Sequence, residues 1–276
     1  GNAVRTGGYA QQSWNAWQGR VYATAGGRWD RHSVTGMAAL TPQASLGFVL
    51  GRTRLQFGWG QHAQFPEMMH LLSRTGSTAL LPERATHYAA AVEQRIGERT
   101  RARVEFYQRL DRDLLFQPLF DPRIMDGRIF NPPLDPPWRN SMRGYARGFD
   151  VFLQRRSANR LTGWVSYSLS HSRVRDGAAR VAFPADLDQR HTVNVFGSYR
   201  LRPSVNLSAK WLYGSGFPIP AFVRWDGARY LLAAERNQLR MEPYQRADVR
   251  VNKAWTYDRW RLTLYGEVVN LANRRN

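Results

Sequence analysis

Apolar and polar side chains alternate with a period of two along most of this chain. From His87 to Ile96, Tyr88, Ala90, Val92 and Ile96 share one parity while His87, Ala89, Glu93 and Arg95 share the other. After a short break, Ala102, Val104, Phe106 and Leu110 oppose Arg103, Glu105, Tyr107 and Arg109. Side chains alternate across a strand, so each such segment has one apolar and one polar face. Leu161, Val165, Tyr167 and Leu169 against Trp164, Ser166, Ser168 and Ser170 repeat the pattern, as do Val193, Val195, Tyr199 and Leu201 against Thr192, Asn194, Ser198 and Arg200. Roughly twelve strands are predicted. Over any one short stretch a soluble sandwich reads the same way.

The connections separate those readings. Short breaks fall at residues 13–18, 50–53, 97–99, 157–160, 201–203 and 256–259, and long ones at 31–43, 62–84, 116–142, 176–189 and 216–243. The two kinds alternate without exception. Outer-membrane barrels have short periplasmic turns at one rim and long extracellular loops at the other, so the pattern predicts an all-β, antiparallel transmembrane β-barrel and assigns its sides.

Composition narrows the classes further. The 276 residues show no composition shift or linker, which predicts a single architectural unit. No run of 18 or more apolar residues occurs, which excludes helical membrane spans, and no amino-terminal signal peptide is recognisable. Cysteine is absent, which removes thiolate metal sites and disulfides. A formal charge of +19 raises nucleic-acid binding as an alternative, yet the arginines are spread out. Arg54, Arg95, Arg103, Arg109, Arg200, Arg250 and Arg261 occupy the polar parity, which faces the lumen of a barrel. An arginine on the lipid face near the midplane would cost about 2–4 kcal/mol, so Gln94, Gln108 and Lys253, which break parity, are expected near an interface. Trp14 and Trp17 flank the first short turn, and Trp255, Tyr257 and Trp260 the last, as a membrane-boundary girdle would.

Catalytic patterns are missing. There is no G-x-S-x-G, no phosphate-cradling glycine motif followed by a helix, and no His pair at helical spacing, so neither an enzyme nor a cofactor is expected. Gly144 and Gly148 read as a strand kink or a close approach to a neighbour, and His87 and His191 as plain rim residues. The candidates for solute contact lie in the long loops. Met68, Met69 and His70 combine two thioethers and an imidazole that could grip a metal or its chelate, although a Met pair before Leu71-Leu72 equally suits a short helix packing its apolar side. Trp138, Arg139 and Trp225 could stack on or pair with a solute, or fold back onto their own loops.

Several segments carry a family resemblance. Gly144-Tyr-Ala-Arg-Gly-Phe-Asp150 with Val151-Phe-Leu-Gln-Arg-Arg156 and Gly163-Trp-Val-Ser-Tyr-Ser-Leu-Ser170 resembles a hairpin of TonB-dependent outer-membrane receptors. Gln64-Phe-Pro-Glu67, Leu81-Pro-Glu-Arg-Ala-Thr-His-Tyr88, Asp188-Gln-Arg-His191, Gly214-Ser-Gly-Phe-Pro218, Tyr265-Gly-Glu-Val-Val-Asn-Leu271 and Asn273-Arg-Arg-Asn276 resemble further family segments, in family order. The resemblance implies a barrel of about 22 strands closed by a plug domain, in the outer membrane of a Gram-negative bacterium. Its partners would be outer-membrane lipid and lipopolysaccharide, the TonB complex acting through the plug, and a small-molecule solute such as a siderophore, cobalamin, a carbohydrate or a metal chelate. No plug, TonB-facing box or terminal aromatic strand is recognisable, so the expectation is that residues 1–276 form part of a receptor barrel, truncated at both ends. A passive porin-like channel or adhesin barrel is the alternative.

Overall fold

A computed structural model describes residues 3–117, 121–177 and 181–275; Gly1 and Asn276, the last residue of the terminal motif, lie outside these. In chain order the elements are β1 (Arg5–Ala16), β2 (Val21–His32), β3 (Ala38–Leu50), β4 (Thr53–Gln64), α1 (Met68–Leu72), β5 (Glu83–Ile96), β6 (Thr100–Phe116), β7 (Arg123–Met125), β8 (Arg128–Phe130) and β9 (Arg139–Ala158). They continue with β10 (Leu161–Asp176), β11 (Val181–Pro184), β12 (His191–Arg202), β13 (Val205–Gly214), β14 (Val223–Trp225), β15 (Tyr230–Leu232), β16 (Tyr244–Thr256) and β17 (Arg261–Val268).

One antiparallel sheet of thirteen strands carries the molecule. Its path runs β1-β2-β3-β4-β5-β6-β9-β10-β12-β13-β16-β17, and β11 pairs with the upper end of β10. Strand order follows chain order, and the twelve-strand path matches the number the alternation predicts. The sheet does not close on itself. Among the described residues β1 pairs only with β2 and β17 only with β16, so each end presents a free edge.

Register aligns the parities of neighbouring strands. Leu55, Val92, Val104, Val151, Tyr167, Val193 and Tyr213 stand side by side across seven strands, and Phe57, Ala90, Phe106, Phe149 and Leu169 form the row above. Val92 and Phe106 are exposed on that outer face, as side chains meeting lipid must be. On the inner face Arg54, Glu93 and Arg103 stand opposite one another. Period two places residues i and i+2 on one face, and the inner face exploits this with short-range pairs. Arg28 donates to Asp30 at 2.7 Å, Arg109 to Asp111 at 3.0 Å and Arg246 to Asp248 at 2.8 Å. The parity exceptions sit where polar groups are affordable. Thr53, first residue of β4, donates to Gln94 at 2.5 Å, and Lys253 donates to Ser204 at 2.6 Å, both at the short-turn rim. Gln108 lies beside Tyr88 and Arg147, two positions above the Phe106 row.

The short turns match the sequence reading closely. Asn159 and Arg160 both have positive φ (50° and 69°), the backbone of a two-residue hairpin turn that follows strand twist. Trp14, Trp17, Tyr257 and Trp260 are exposed at this rim, Tyr257 stacked on Trp260 at 4.0 Å. Some connections differ from expectation in extent: the first turn, placed at residues 13–18, lies at 17–20, and the break placed at 116–142 ends where β9 begins at Arg139. The break placed at residues 31–43 shrinks to 33–37, because Ala38 to Pro42 continue β3 and pair with β2. Pro42 is tolerated there since β3 meets β4 only from Gln43 onward, so its missing N–H faces no partner strand. Gly148 packs closely, as expected: a Cβ at this position would collide with the Leu169 carbonyl and lie 2.7 Å from the Tyr107 hydroxyl.

Candidate functional site

The long loops fold onto one another above the inner face. Within residues 215–243, Ala233 N–H donates to the Phe222 carbonyl at 2.8 Å, and the β7–β8 hairpin is tied on by the Ile124 N–H, which donates to the Ala233 carbonyl at 3.0 Å. Arg123, only 2% exposed, lies over the Phe222 ring at 4.0 Å, and Phe183 meets Phe222 at 6.4 Å and Phe116 at 6.5 Å. Burial lowers the Arg123 pKa, against the pull of Asp121 and Asp176. Arg236 pairs with Asp121 at 3.3 Å and with Asp186, while Asn237 donates to the Pro184 carbonyl at 2.7 Å. Three loops therefore share one small core beyond the sheet.

Asp188 fastens that core to the wall. Its carboxylate is fully buried; one oxygen accepts from the Ser172 N–H at 2.7 Å, the other from Arg190 at 2.6 Å and Arg240 at 2.5 Å. Arg240 also donates to the Asp188 and Gly216 carbonyls at 2.6 and 3.1 Å. Burial pushes the Asp188 pKa up, but the Ser172 amide and the two guanidiniums outweigh it and hold the carboxyl below its usual range.

Beneath the loops the inner face opens into a cavity of about 700 Å³. His62, His87, Tyr107, Arg109 and Asp111 line one side, Ser170, Ser172 and Asp186 the other. His62 on β4 and His87 on β5 face each other with ring centroids 4.5 Å apart. Gly60, directly opposite His87, supplies no side chain to fill the space between them. Imidazoles, a phenol and an arginine converging on one hollow can donate hydrogen bonds and positive charge to an anionic or chelating solute.

None of the loop residues singled out from sequence lines this hollow. Met68, Met69 and His70 form the short helix α1, in which Leu71 is buried and Met69 exposed. His70 Nδ1 accepts from the Glu67 N–H at 3.3 Å, and its ring meets Trp138 edge-on at 4.5 Å. Trp138 N–H donates to the Thr75 carbonyl at 2.9 Å, and Arg74 pairs with Asp135, so two loops are sewn together here. Arg139 begins β9 beside Phe116 and is exposed. Trp225 meets Tyr230 at a tilt, with ring centroids 4.8 Å apart, in the β14–β15 hairpin, whose turn is capped by Asp226 accepting from the Ala228 and Arg229 N–H groups. Structure thus unites His70 with Trp138 and leaves Trp225 apart. His191, read as a rim residue, accepts or donates at 2.9 Å to Tyr167 on the outer face. The His62 and His87 pair escaped notice in the sequence because His62, read as the start of the 62–84 break, belongs to β4, where it shares the inner face with His87 of β5. Among the described residues no group of three or more His, Cys, Asp or Glu is arranged to hold a metal ion.

A family model described as TonB dependent receptor-like, beta-barrel, matches residues 1–271. The chain belongs to that family. It is a family of transporters rather than enzymes, seated in the outer membrane of Gram-negative bacteria. The receptor barrel also resembles solved structures. With a ferric enterobactin receptor from Pseudomonas aeruginosa, in complex with enterobactin, it shares a TM-score of 0.75 at 16% identity, covering 99% of this chain and 40% of that one. With the siderophore receptor PirA from Acinetobacter baumannii the values are 0.75, 12%, 99% and 42%. With the FrpB iron transporter from Neisseria meningitidis they are 0.72, 15%, 99% and 41%. The chain therefore spans about two fifths of the length of these receptors, and at such identities the likeness establishes the fold. No curated protein sequence matches the chain significantly.

Proposed function

We propose that this receptor barrel takes up a scarce solute captured at its loop-lined mouth, with energy supplied by TonB through a plug domain. The observation that carries the reading is the cavity at the loop end of the inner wall, lined by His62, His87, Tyr107 and Arg109, in a chain whose family match runs from residue 1 to 271. Two free sheet edges and coverage of about two fifths of related receptors support a segmental role, in which further strands and a plug come from outside these residues. Open edges in hydrocarbon would cost several kcal/mol for each unpaired backbone group. The neighbours named for siderophores and iron favour a ferric chelate as the solute. Loop residues Met68, Met69, Trp138, Arg139 and Trp225 would guide it from the outside, with His70 holding Trp138 in place.

Uptake of radio-iron as a ferric catecholate by cells carrying the whole receptor tests this. Uptake should vanish in cells lacking TonB, and binding should weaken about tenfold, or about 1.4 kcal/mol, in a His62→Ala, His87→Ala double variant. Solute entry that persists without TonB would instead establish a passive channel.

A further inference from the structure

Two histidines of the inner wall have ring nitrogens that hydrogen-bond to no group among the described residues. His62 on β4 and His87 on β5 lie diagonally across the pairing of their strands, since Ala85 is opposite His62 and Gly60 is opposite His87. The other two corners of that square therefore carry a methyl group and no side chain at all. His62 leans across this floor, its Nε2 3.6 Å from the point where a Cβ on Gly60 would sit. Both side chains are exposed to the hollow, and their ring contact is with each other. His70 and His191, by contrast, each engage a ring nitrogen, with the Glu67 N–H and the Tyr167 hydroxyl. Arg109, directly opposite His87 on β6, is turned to Asp111 at 3.0 Å, which offsets its charge beside the pair.

The spacing of the two rings matches what one shared ion requires. A metal–nitrogen bond of about 2.0–2.1 Å puts an imidazole centre about 3.2 Å from the ion, so two rings at ligand angles of about 90–109° have centres about 4.5–5.1 Å apart. The His62 and His87 centroids are 4.5 Å apart, with their planes inclined at 49°. Space is open to either side of the pair. The 700 Å³ hollow extends toward β6, β9 and β10, and a second hollow of about 400 Å³, lined by Gln11, Thr24, Gln43 and Ser45, extends toward β1, β2 and β3. Water or a donor atom of a solute can complete a coordination sphere from there. Imidazole suits Cu²⁺, Ni²⁺ and Zn²⁺, and a given nitrogen site holds Cu²⁺ most tightly of these. The chain has no cysteine to draw such an ion elsewhere.

We propose that His62 and His87 form a two-imidazole site for an unchelated divalent transition-metal ion, Cu²⁺ the tightest, whose remaining positions open into the hollow. The site shares the hollow with the uptake reading and rests on it only in taking the hollow as reachable from outside. The test is titration of the whole receptor, purified without a histidine tag, with Cu²⁺ alone, followed by electron paramagnetic resonance. The bound ion should couple to the nitrogens of two imidazole rings. Affinity should fall at least about 100-fold, beyond the loss caused by removing an outer partner of a ligand, in either His62→Phe or His87→Phe, which keep a ring and remove its donors. His191→Gln, on the outer face, should leave affinity unchanged. Heat-modifiable migration reports whether each variant has folded; where a Phe variant fails it, Asn at the same position is read in the same way. Uptake of the ferric catecholate, measured in parallel, separates the two readings of the hollow. A variant that loses Cu²⁺ yet still imports the chelate supports the metal site and takes the pair out of the chelate's path. Undiminished Cu²⁺ binding in both Phe variants overturns the metal site, whatever becomes of the chelate, as does coupling to a single imidazole or an equal loss with His191→Gln.

Discussion

At one rim of the wall the chain reverses within two to four residues, as at residues 51–52, 159–160 and 203–204; at the other it wanders for residues 117–138 and 215–243 before returning. The short rim is organised by backbone. Gly51 and Gly97 hold φ of 60° and 63°, Asn159 and Arg160 supply the remaining left-handed positions, and exposed tryptophans anchor the level. The long rim is organised by side chains far apart in sequence: Arg123 over Phe222, Arg236 between Asp121 and Asp186, Asp188 between Ser172 and Arg240. One rim is a set of independent local events, and the other is a small domain that stands or falls together.

That distinction can be broken, most severely at Phe222. Phe222→Ala should cost the loop core about 3–5 kcal/mol, so that amides of residues 121–138, 181–190 and 215–243 exchange faster as a group while heat-modifiable migration of the barrel persists. If the sheet unfolds as well, the loops and the wall are not separable units. Leu153→Arg, on the outer face near mid-height, should cost about 2–4 kcal/mol and reduce assembly into the outer membrane, whereas Ser166→Arg on the inner face should be tolerated; reversal of that order would show the faces to be misassigned. Asp188→Asn leaves Arg190 and Arg240 without their carboxylate and should loosen the loops by about 2–3 kcal/mol, read as faster proteolysis within residues 181–190. Because the folded pKa of Asp188 is depressed, its contribution is complete above the ordinary carboxylate value of 3.8 and is lost progressively as pH falls from there through the lower folded value. Increasingly strong acid should therefore approach the Asp188→Asn phenotype, and a loop core whose stability does not fall at all as pH is lowered below 3.8 would sink this account. Gly97→Ala should cost about 1 kcal/mol and disturb only its own hairpin, measured by thermal melting.

How legible each rim was in sequence follows from the same contrast. Strand faces and short turns depend on neighbours one to four residues away, so Tyr88 against His87, or Asn159-Arg160 as a turn, can be read directly. The break read at residues 31–43 overran the start of β3, where Ala38 to Pro42 have only β2 as a partner, a fact no local window contains. The β7–β8 and β14–β15 hairpins, and the burial of Arg123 among Phe130 and Phe222, depend on contacts between loops about a hundred residues apart. His87 was within reach of the alternation, but His62 fell inside the break read at residues 62–84, and the pairing of the two needs the register of β4 on β5 and the empty position at Gly60. The Met68-Met69-His70 cluster drew attention by composition, and its helix instead sets Leu71 inward and His70 against Trp138.

The sheet path runs from β1 to β17 without a single crossover. Every hairpin can therefore be added to the edge left by the one before, with no strand having to slip between two that are already joined. This topology permits the wall to be built by ordered extension, in which each new short turn needs only its own few residues and the exposed lip of its predecessor. The loop core, which draws on β6, β9, β10 and three connections at once, can form only after most of that lip has been laid down, so the mouth is the last part of this segment to take shape.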